Sequence, residues 1–178
     1  RQTNPGAAVH KVHWDAYQRV RTITGTTSPE VNSLIRRQMT DGALVMNYTG
    51  HGATYTLSHE FVLQTEDFSS SCSQNLPLWV TAACDVMPFD GQITNIGETA
   101  VLNPQGGALA FYGTTRTVFA SQNLLMNKYF MKHLFANDAQ GNPVRVGDAI
   151  RLAKANIVSG ENDNGLYLEN KVHYALLG

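Results

Sequence analysis

Cysteine is scarce in this chain, long apolar runs are missing, and neither sign of charge dominates. Two cysteines in 178 residues are too few for a small scaffold stapled by disulfides. No apolar stretch approaches the roughly 20 residues that cross a bilayer, so no membrane-spanning helix is expected. Thirteen basic residues against fourteen acidic ones leave a net charge of −1. With no basic run and no interleaving of aromatic and basic residues, a nucleic-acid partner is set aside. The opening Arg1-Gln2-Thr3-Asn4-Pro5-Gly6 has no apolar core of a signal peptide. There is no internal repeat and no low-complexity tract. What remains is an ordinary globular composition, 43% hydrophobic, enough for one domain with a sizeable core. Residues 1–178 are read as that domain and as a piece of something larger, since the start lacks an initiator Met and the closing Tyr174-Ala175-Leu176-Leu177-Gly178 reads as a strand cut at its exit loop.

Periodicity divides the chain into alternating elements. Ala7 to Trp14 alternates partly between apolar and polar residues and reads as a strand. Ser28 before Pro29 predicts a helix entry with a hydroxyl cap, and Val31, Leu34, Ile35 and Met39 follow at helical spacing until Asp41-Gly42. Ala43 to Tyr48 is too short for a buried helix and reads as a central strand. Thr54 to Gln74 is polar and irregular, with short helical turns around Glu60–Leu63 and Thr65–Ser70. Leu76 to Ala83 is a second buried strand, with Pro77 at its start. A short helix over 96–103 leads to a third strand over 108–112. Helices over 121–135 and 146–158 follow, and Tyr167 to Leu177 returns to the sheet. Strands separated by helices predict an α/β layered fold with mainly parallel pairing.

Two loops at strand ends carry reactive side chains. Asn47-Tyr48-Thr49-Gly50-His51-Gly52 follows the first central strand, and Ala82-Ala83-Cys84-Asp85 follows the second. Ligands of open parallel sheets bind outside the carboxyl ends of the strands, so His51 and Cys84 are placed to face one another. A thiol near its reference pKa of about 8.5 is only a few per cent thiolate at neutral pH. A His within hydrogen-bond reach raises that fraction and later protonates a leaving amine. The glycines flanking His51 are read as giving backbone freedom and substrate access, with the amides of Gly52 and Cys84 as oxyanion donors. Glu98 is read as supporting its helix N-terminus. Two other states stay open. A Cys72–Cys84 disulfide requires Cα atoms within about 7 Å and would leave no nucleophile. His51 with His59 could hold a metal, although His59-Glu60 is not followed by the spacing of a zinc-peptidase helix.

These residues, together with Gly97-Glu98-Thr99, Gly106-Gly107-Ala108, Arg37-Gln38-Met39, Leu102-Asn103-Pro104 and Thr114-Thr115-Arg116, resemble the gingipain family of cysteine peptidases. Within it they are most similar to the branch that serves type IX secretion as C-terminal signal peptidase, or sortase. The resemblance runs from about Val9 onward. It implies a caspase-like three-layer α/β/α sandwich, with His51 as base, Cys84 as nucleophile, and the Gly52 and Cys84 amides as oxyanion hole. Thr114, Thr115, Arg116 and Phe119 fall where the family lines its substrate pocket. No cofactor is implied. The implied partners are protein substrates carrying C-terminal secretion signals and other outer-membrane secretion components. The implied location is secreted or at the cell surface of a Bacteroidetes-type bacterium. The acidic group that orients the His in gingipains lies upstream of the matching region. A non-catalytic module that docks cargo or partner subunits is the rival expectation, and a zinc hydrolase a third.

Overall fold

A computed structural model of the chain describes residues 6–23, 25–158 and 167–178. A single 3-10 turn at Trp14–Ala16 precedes the hairpin of β1 (Val20–Thr22) and β2 (Gly25–Thr27). Helix α1 (Pro29–Asp41) leads into β3 (Val45–Thr49), and a small antiparallel sheet follows: β4 (Gly52–Ala53), β5 (Thr56–Leu57) and β6 (Leu63–Gln64). Then come α2 (Thr65–Ser69), β7 (Leu78–Ala82), α3 (Ile96–Leu102) and β8 (Ala110–Thr114). Helices α4 (Ala120–Leu134), α5 (Val146–Val158) and α6 (Tyr167–His173) precede β9 (Tyr174–Leu177).

The main sheet runs β3-β7-β8-β9; the first three strands are parallel and β9 is antiparallel to β8. Side chains alternate across a strand, so β7 feeds two cores at once. Trp79 joins Val31, Phe68, Ile96 and Phe111 under α1, α2 and α3. Leu78 and Val80 join Tyr112, Met126, Phe130, Ala149 and Ala153 under α4 and α5. Burial on both faces explains why β7 is apolar almost throughout and buried at all five positions. The predicted three-layer α/β/α sandwich with a mainly parallel sheet is the observed architecture.

The local expectations divide. Helices α1 and α5 and strands β3, β7 and β8 lie where periodicity put them, within two residues at each end. The Ser28 hydroxyl makes no cap bond and is buried without a partner; the start of α1 rests on Pro29 instead. Gly42 ends the helix at φ +93°, donating its N–H to Gln38. Glu98 does close its helix: its carboxylate accepts from the Asn95 N–H at 3.1 Å while Asn95 Oδ1 accepts from the Glu98 N–H at 2.9 Å.

Three readings are corrected. Ala7 to His13 is exposed and unpaired, with Trp14 in the 3-10 turn rather than a strand, because Val9 and Val12 face solvent and meet no sheet edge. The helical turn expected at Glu60–Leu63 is a tight reversal into β6, since Ser58 and Phe61 adopt left-handed backbone angles that end any helix. Tyr167–His173 is helical, and only Tyr174–Leu177 enters the sheet.

Candidate active site at the ends of the parallel strands

The pairing of β3 with β7 decides where the two loops meet. Their register sets Thr49 opposite Ala82, so both strands stop at the same level. The Gly50 N–H then donates to the Ala82 carbonyl at 3.2 Å, extending the ladder one step into the loops. A Cβ at Gly52 would lie 2.6 Å from Val86 Cγ1, 2.8 Å from Ala83 Cβ and 2.9 Å from the Cys84 carbonyl oxygen. The segment holding His51 is therefore seated directly on the segment holding Cys84.

That packing revises the role of the flanking glycines. Neither Gly50 nor Gly52 has a positive φ, so backbone freedom is not what they supply. A Cβ at Gly50 would strike the Tyr48 phenol, its oxygen at 2.5 Å, and one at Gly52 would strike the Cys84 loop. Their requirement is steric, set by the protein's own atoms.

The Cys84 side is clamped from within the core. Thr114, fully buried at the end of β8, donates its hydroxyl to the Ala83 carbonyl. The Met87 N–H donates to the Thr114 carbonyl at 2.9 Å and the Asp85 N–H to the Arg116 carbonyl at 3.3 Å. Asp85 takes a left-handed conformation at φ +51°, which turns the chain sharply after the thiol, and its carboxylate accepts the Thr117 hydroxyl at 2.8 Å. Half-buried Cys84 directs its thiol to the Val118 carbonyl at 3.5 Å. The next residue, Phe119, is held by one side-chain amide: its N–H donates to Asn170 Oδ1 at 2.9 Å and its carbonyl accepts from Asn170 Nδ2 at 3.0 Å. Asn170 also donates to Asn123 Oδ1, which accepts the Tyr174 hydroxyl at 2.9 Å. Burial above all, helped by Tyr112 and the thiol of Cys84, pushes the Tyr174 phenol well above its ordinary pKa. It stays neutral and donates.

The His51 side is held by local contacts. Its carbonyl accepts the Tyr48 hydroxyl at 2.6 Å and the Ser58 N–H at 2.9 Å. Tyr48 stacks on Trp14 with ring centroids 5.4 Å apart. Burial, and secondarily the charge of Glu60, raises the Tyr48 pKa far above the ordinary phenol value, so it too remains a donor. The His51–Ser58 bond makes Gly52 and Leu57 the next, non-hydrogen-bonded pair of the hairpin. Alternation then turns the Gly52 N–H away from β5.

The four residues expected to line a pocket split into two pairs. The Thr114 hydroxyl is spent on Ala83, and Thr115 directs its N–H and hydroxyl to the His173 carbonyl at 2.8 and 3.1 Å. Both hold the frame. Arg116 and Phe119 are exposed, and Arg116 grips Asp90 of the Cys84 loop through a two-pronged ion pair. That guanidinium holds the Asp90 carboxyl below the usual carboxylate range. Asn103 also proves to be frame: its Nδ2 donates to the Phe68 and Ser71 carbonyls at 2.8 Å each.

Both cysteines are free thiols, Cys72 exposed and Cys84 half-buried. The disulfide left open by the sequence does not form. Among the described residues no three His, Cys, Asp or Glu side chains are grouped to hold a metal ion. His51 and His59 instead stack face to face, centroids 4.3 Å apart and planes 15° off parallel. Their lone pairs lie in those nearly parallel planes and do not converge, which weighs against the zinc reading. Sequence reasoning missed Tyr48, Asp90, Asn123, Asn170 and Tyr174 as contributors. Asp90, Asn123, Asn170 and Tyr174 carry no short-range signal because each acts on a residue brought close by the fold, while Tyr48 acts three residues along through a bend that only the structure reveals.

A parallel sheet with helices on both faces and loops gathered at its carboxyl edge has the caspase-like architecture. The family model for Peptidase family C25 matches residues 1–178; the chain belongs to that family, the gingipains. Among solved structures it resembles the Arg-specific cysteine proteinase gingipain R at TM-score 0.70 and 16% identity, over 83% of this chain and 34% of that one. It also resembles the complex of Porphyromonas gingivalis RgpB pro- and mature domains, at TM-score 0.63 and 16% identity, over 83% and 35%. A third structure, described only as a protease, matches at TM-score 0.57 and 17% identity over 80% and 35%. The chain thus spans about a third of each solved structure, and at these identities the likeness concerns the fold. No curated protein sequence matches it.

Proposed function

We propose that this chain carries the catalytic pair of a cysteine peptidase or transpeptidase, with Cys84 as nucleophile and His51 as base. The observation that carries this is the seating of Gly52 on Ala83, Cys84 and Val86, which joins the imidazole loop to the thiol loop. The thiolate of Cys84 attacks the scissile carbonyl, forming a C–S bond. The oxyanion that develops is received by the Gly52 and Cys84 amides, and the orientation of the Gly52 N–H away from β5 supports that role. His51, having accepted the thiol proton, donates it to the departing amine as the C–N bond breaks. Water or an acceptor amine then releases the acyl group and restores the thiol. Arg116 and Phe119 present the exposed surface that an approaching peptide meets.

The finer reading is a sortase-like activity of the PorU type, removing C-terminal secretion signals from type IX secretion cargo at the cell surface, with outer-membrane secretion components as partners. It rests on the likeness of Arg37-Gln38-Met39, Leu102-Asn103-Pro104 and Thr114-Thr115-Arg116 to that branch. No helix among the described residues is long and apolar enough to cross a membrane. Free thiols at Cys72 and Cys84 favour the enzyme over the docking module, which a bond between them would have supported. The test is cargo processing by Cys84→Ala in the full-length protein. Mature cargo should disappear while the protein remains folded, and unchanged processing overturns the proposal.

A further inference from the structure

The base of a thiol–imidazole pair has to be kept in one ring orientation. Among the described residues no hydrogen bond reaches the His51 ring nitrogens, and its one ring contact is the face of His59. His59 stands in the turn that joins β5 to β6, and that turn is costly to build. Ser58 at φ +69° and Phe61 at φ +50° are both left-handed without being glycine, a conformation that L-residues avoid. The turn is held in place all the same. The Ser58 N–H is bonded to the His51 carbonyl, and the Phe61 N–H donates to the Ser58 carbonyl at 3.3 Å. The Ser58 hydroxyl donates to Glu60 Oε2 at 3.0 Å and accepts from the Glu60 N–H at 3.0 Å, while Arg19 reaches Glu60 Oε1 at 3.6 Å. A strained turn tied to the backbone of the very residue whose ring it covers points to a use for the covering ring.

We propose that His59 is a positioning residue for His51: its ring, delivered by the strained turn, stacks on the His51 imidazole and fixes the plane of that ring beside the Cys84 loop. This rests on the catalytic pair proposed above. Stacking is a property of a flat ring and not of an ionisable one, so the role separates cleanly from proton transfer. His59→Phe and His59→Trp should keep it, and His59→Leu, of similar bulk without a ring, should lose it. Because His59 is exposed at a hairpin tip, these changes fall outside the core.

The test is the rate of Cys84 alkylation by iodoacetamide in the full-length protein near neutral pH, followed by the mass of the Cys84 peptide, with exposed Cys72 as internal reference. His59→Leu should slow Cys84 by about 3–10-fold, as expected for a misplaced base, while the ring variants stay within about 2-fold of the parent. Cys72 should react at the same rate throughout. On a peptide substrate the loss in His59→Leu should fall on kcat with KM little changed. A parent-like rate in His59→Leu, or an equal slowing in His59→Phe, overturns the positioning role and leaves the catalytic pair standing. His51→Ala is the control for the pair itself: if it leaves Cys84 reactivity unchanged, the pair fails and the positioning role falls with it. Should His59→Leu lower the melting temperature, His59→Ser at the same site replaces it, judged by the same rates.

Discussion

The thiol and the imidazole sit at the ends of neighbouring strands, yet they are supported in opposite ways. Strand β7 is buried at every position between β3 and β8. The loop that leaves it is gripped by Thr114, Val118 and, through Phe119, by the buried amides of Asn123 and Asn170. Strand β3 is bordered on one side only within the main sheet and buries just Tyr48 among its five residues. Its loop depends on devices within a dozen residues: the Tyr48 hydroxyl, the Ser58 amide and the small sheet β4-β5-β6. The thiol loop is thus placed by the core and the imidazole loop by local contacts. A change near Cys84 should register in global stability, and a change near His51 in local order and turnover.

The largest expected effect is at Gly52, where the two supports meet. Gly52→Ala forces a methyl against Val86, Ala83 and the Cys84 carbonyl. It should cost about 1–3 kcal/mol in denaturant unfolding and reduce turnover by about 100-fold by parting the loops. Normal stability and turnover would dissolve the idea that the loops are seated on one another.

Next is Thr114→Val, which keeps shape and removes the bond to the Ala83 carbonyl. Leaving that buried acceptor short of a donor should cost about 1–2 kcal/mol, visible as a lower melting temperature of the whole domain. Tyr48→Phe removes the bond to the His51 carbonyl, which keeps Ser58 as donor. Its cost should be about 1 kcal/mol or less, read by hydrogen exchange as faster opening of residues 50–58 rather than as a global shift. Equal melting shifts in these two variants would erase the contrast between core-held and locally held loops.

The smallest effect belongs to the exposed Arg116–Asp90 pair. The folded-state pKa of Asp90 is depressed, chiefly by its hydrogen bonds from Arg116. Its contribution is therefore present above the unfolded carboxylate value of about 3.9 and is lost as pH falls through the lower folded value. Asp90→Asn should melt slightly below the parent near neutral pH at low salt and together with it in strong acid or high salt. A gap that widens on acidification would show the sign to be wrong.

Much of the frame is legible in the sequence. Apolar runs bounded by turn residues located β3, β7 and β8, and helical spacing located α1 and α5. Burial on both faces makes that signal plainest in β7 and β8, while β3 buries only Tyr48 fully. The antiparallel hairpins were not legible: β1, β2 and β4 to β6 are two or three residues each, too short for periodicity to register. The strand expected at Ala7–His13 failed for the converse reason, since alternation without a sheet edge to meet is only a pattern. Within the site, His51 and Cys84 could be picked out as reactive groups at strand ends. The two threonines at 114 and 115 looked like pocket lining and turned out to hold backbone, because a hydroxyl's direction depends on the strand it faces.

By itself the sequence determined that this is a layered α/β chain, with an imidazole loop and a thiol loop at the ends of its central strands. Composition and local periodicity are properties of neighbours along the chain, and they suffice for that. Only the tertiary structure decided that Thr49 lies level with Ala82, that Gly52 rests on the Cys84 loop, that the two cysteines stay apart, and that His59 covers His51. Each of these depends on strand register and on tight turns, where a shift of one residue turns every side chain to the opposite face.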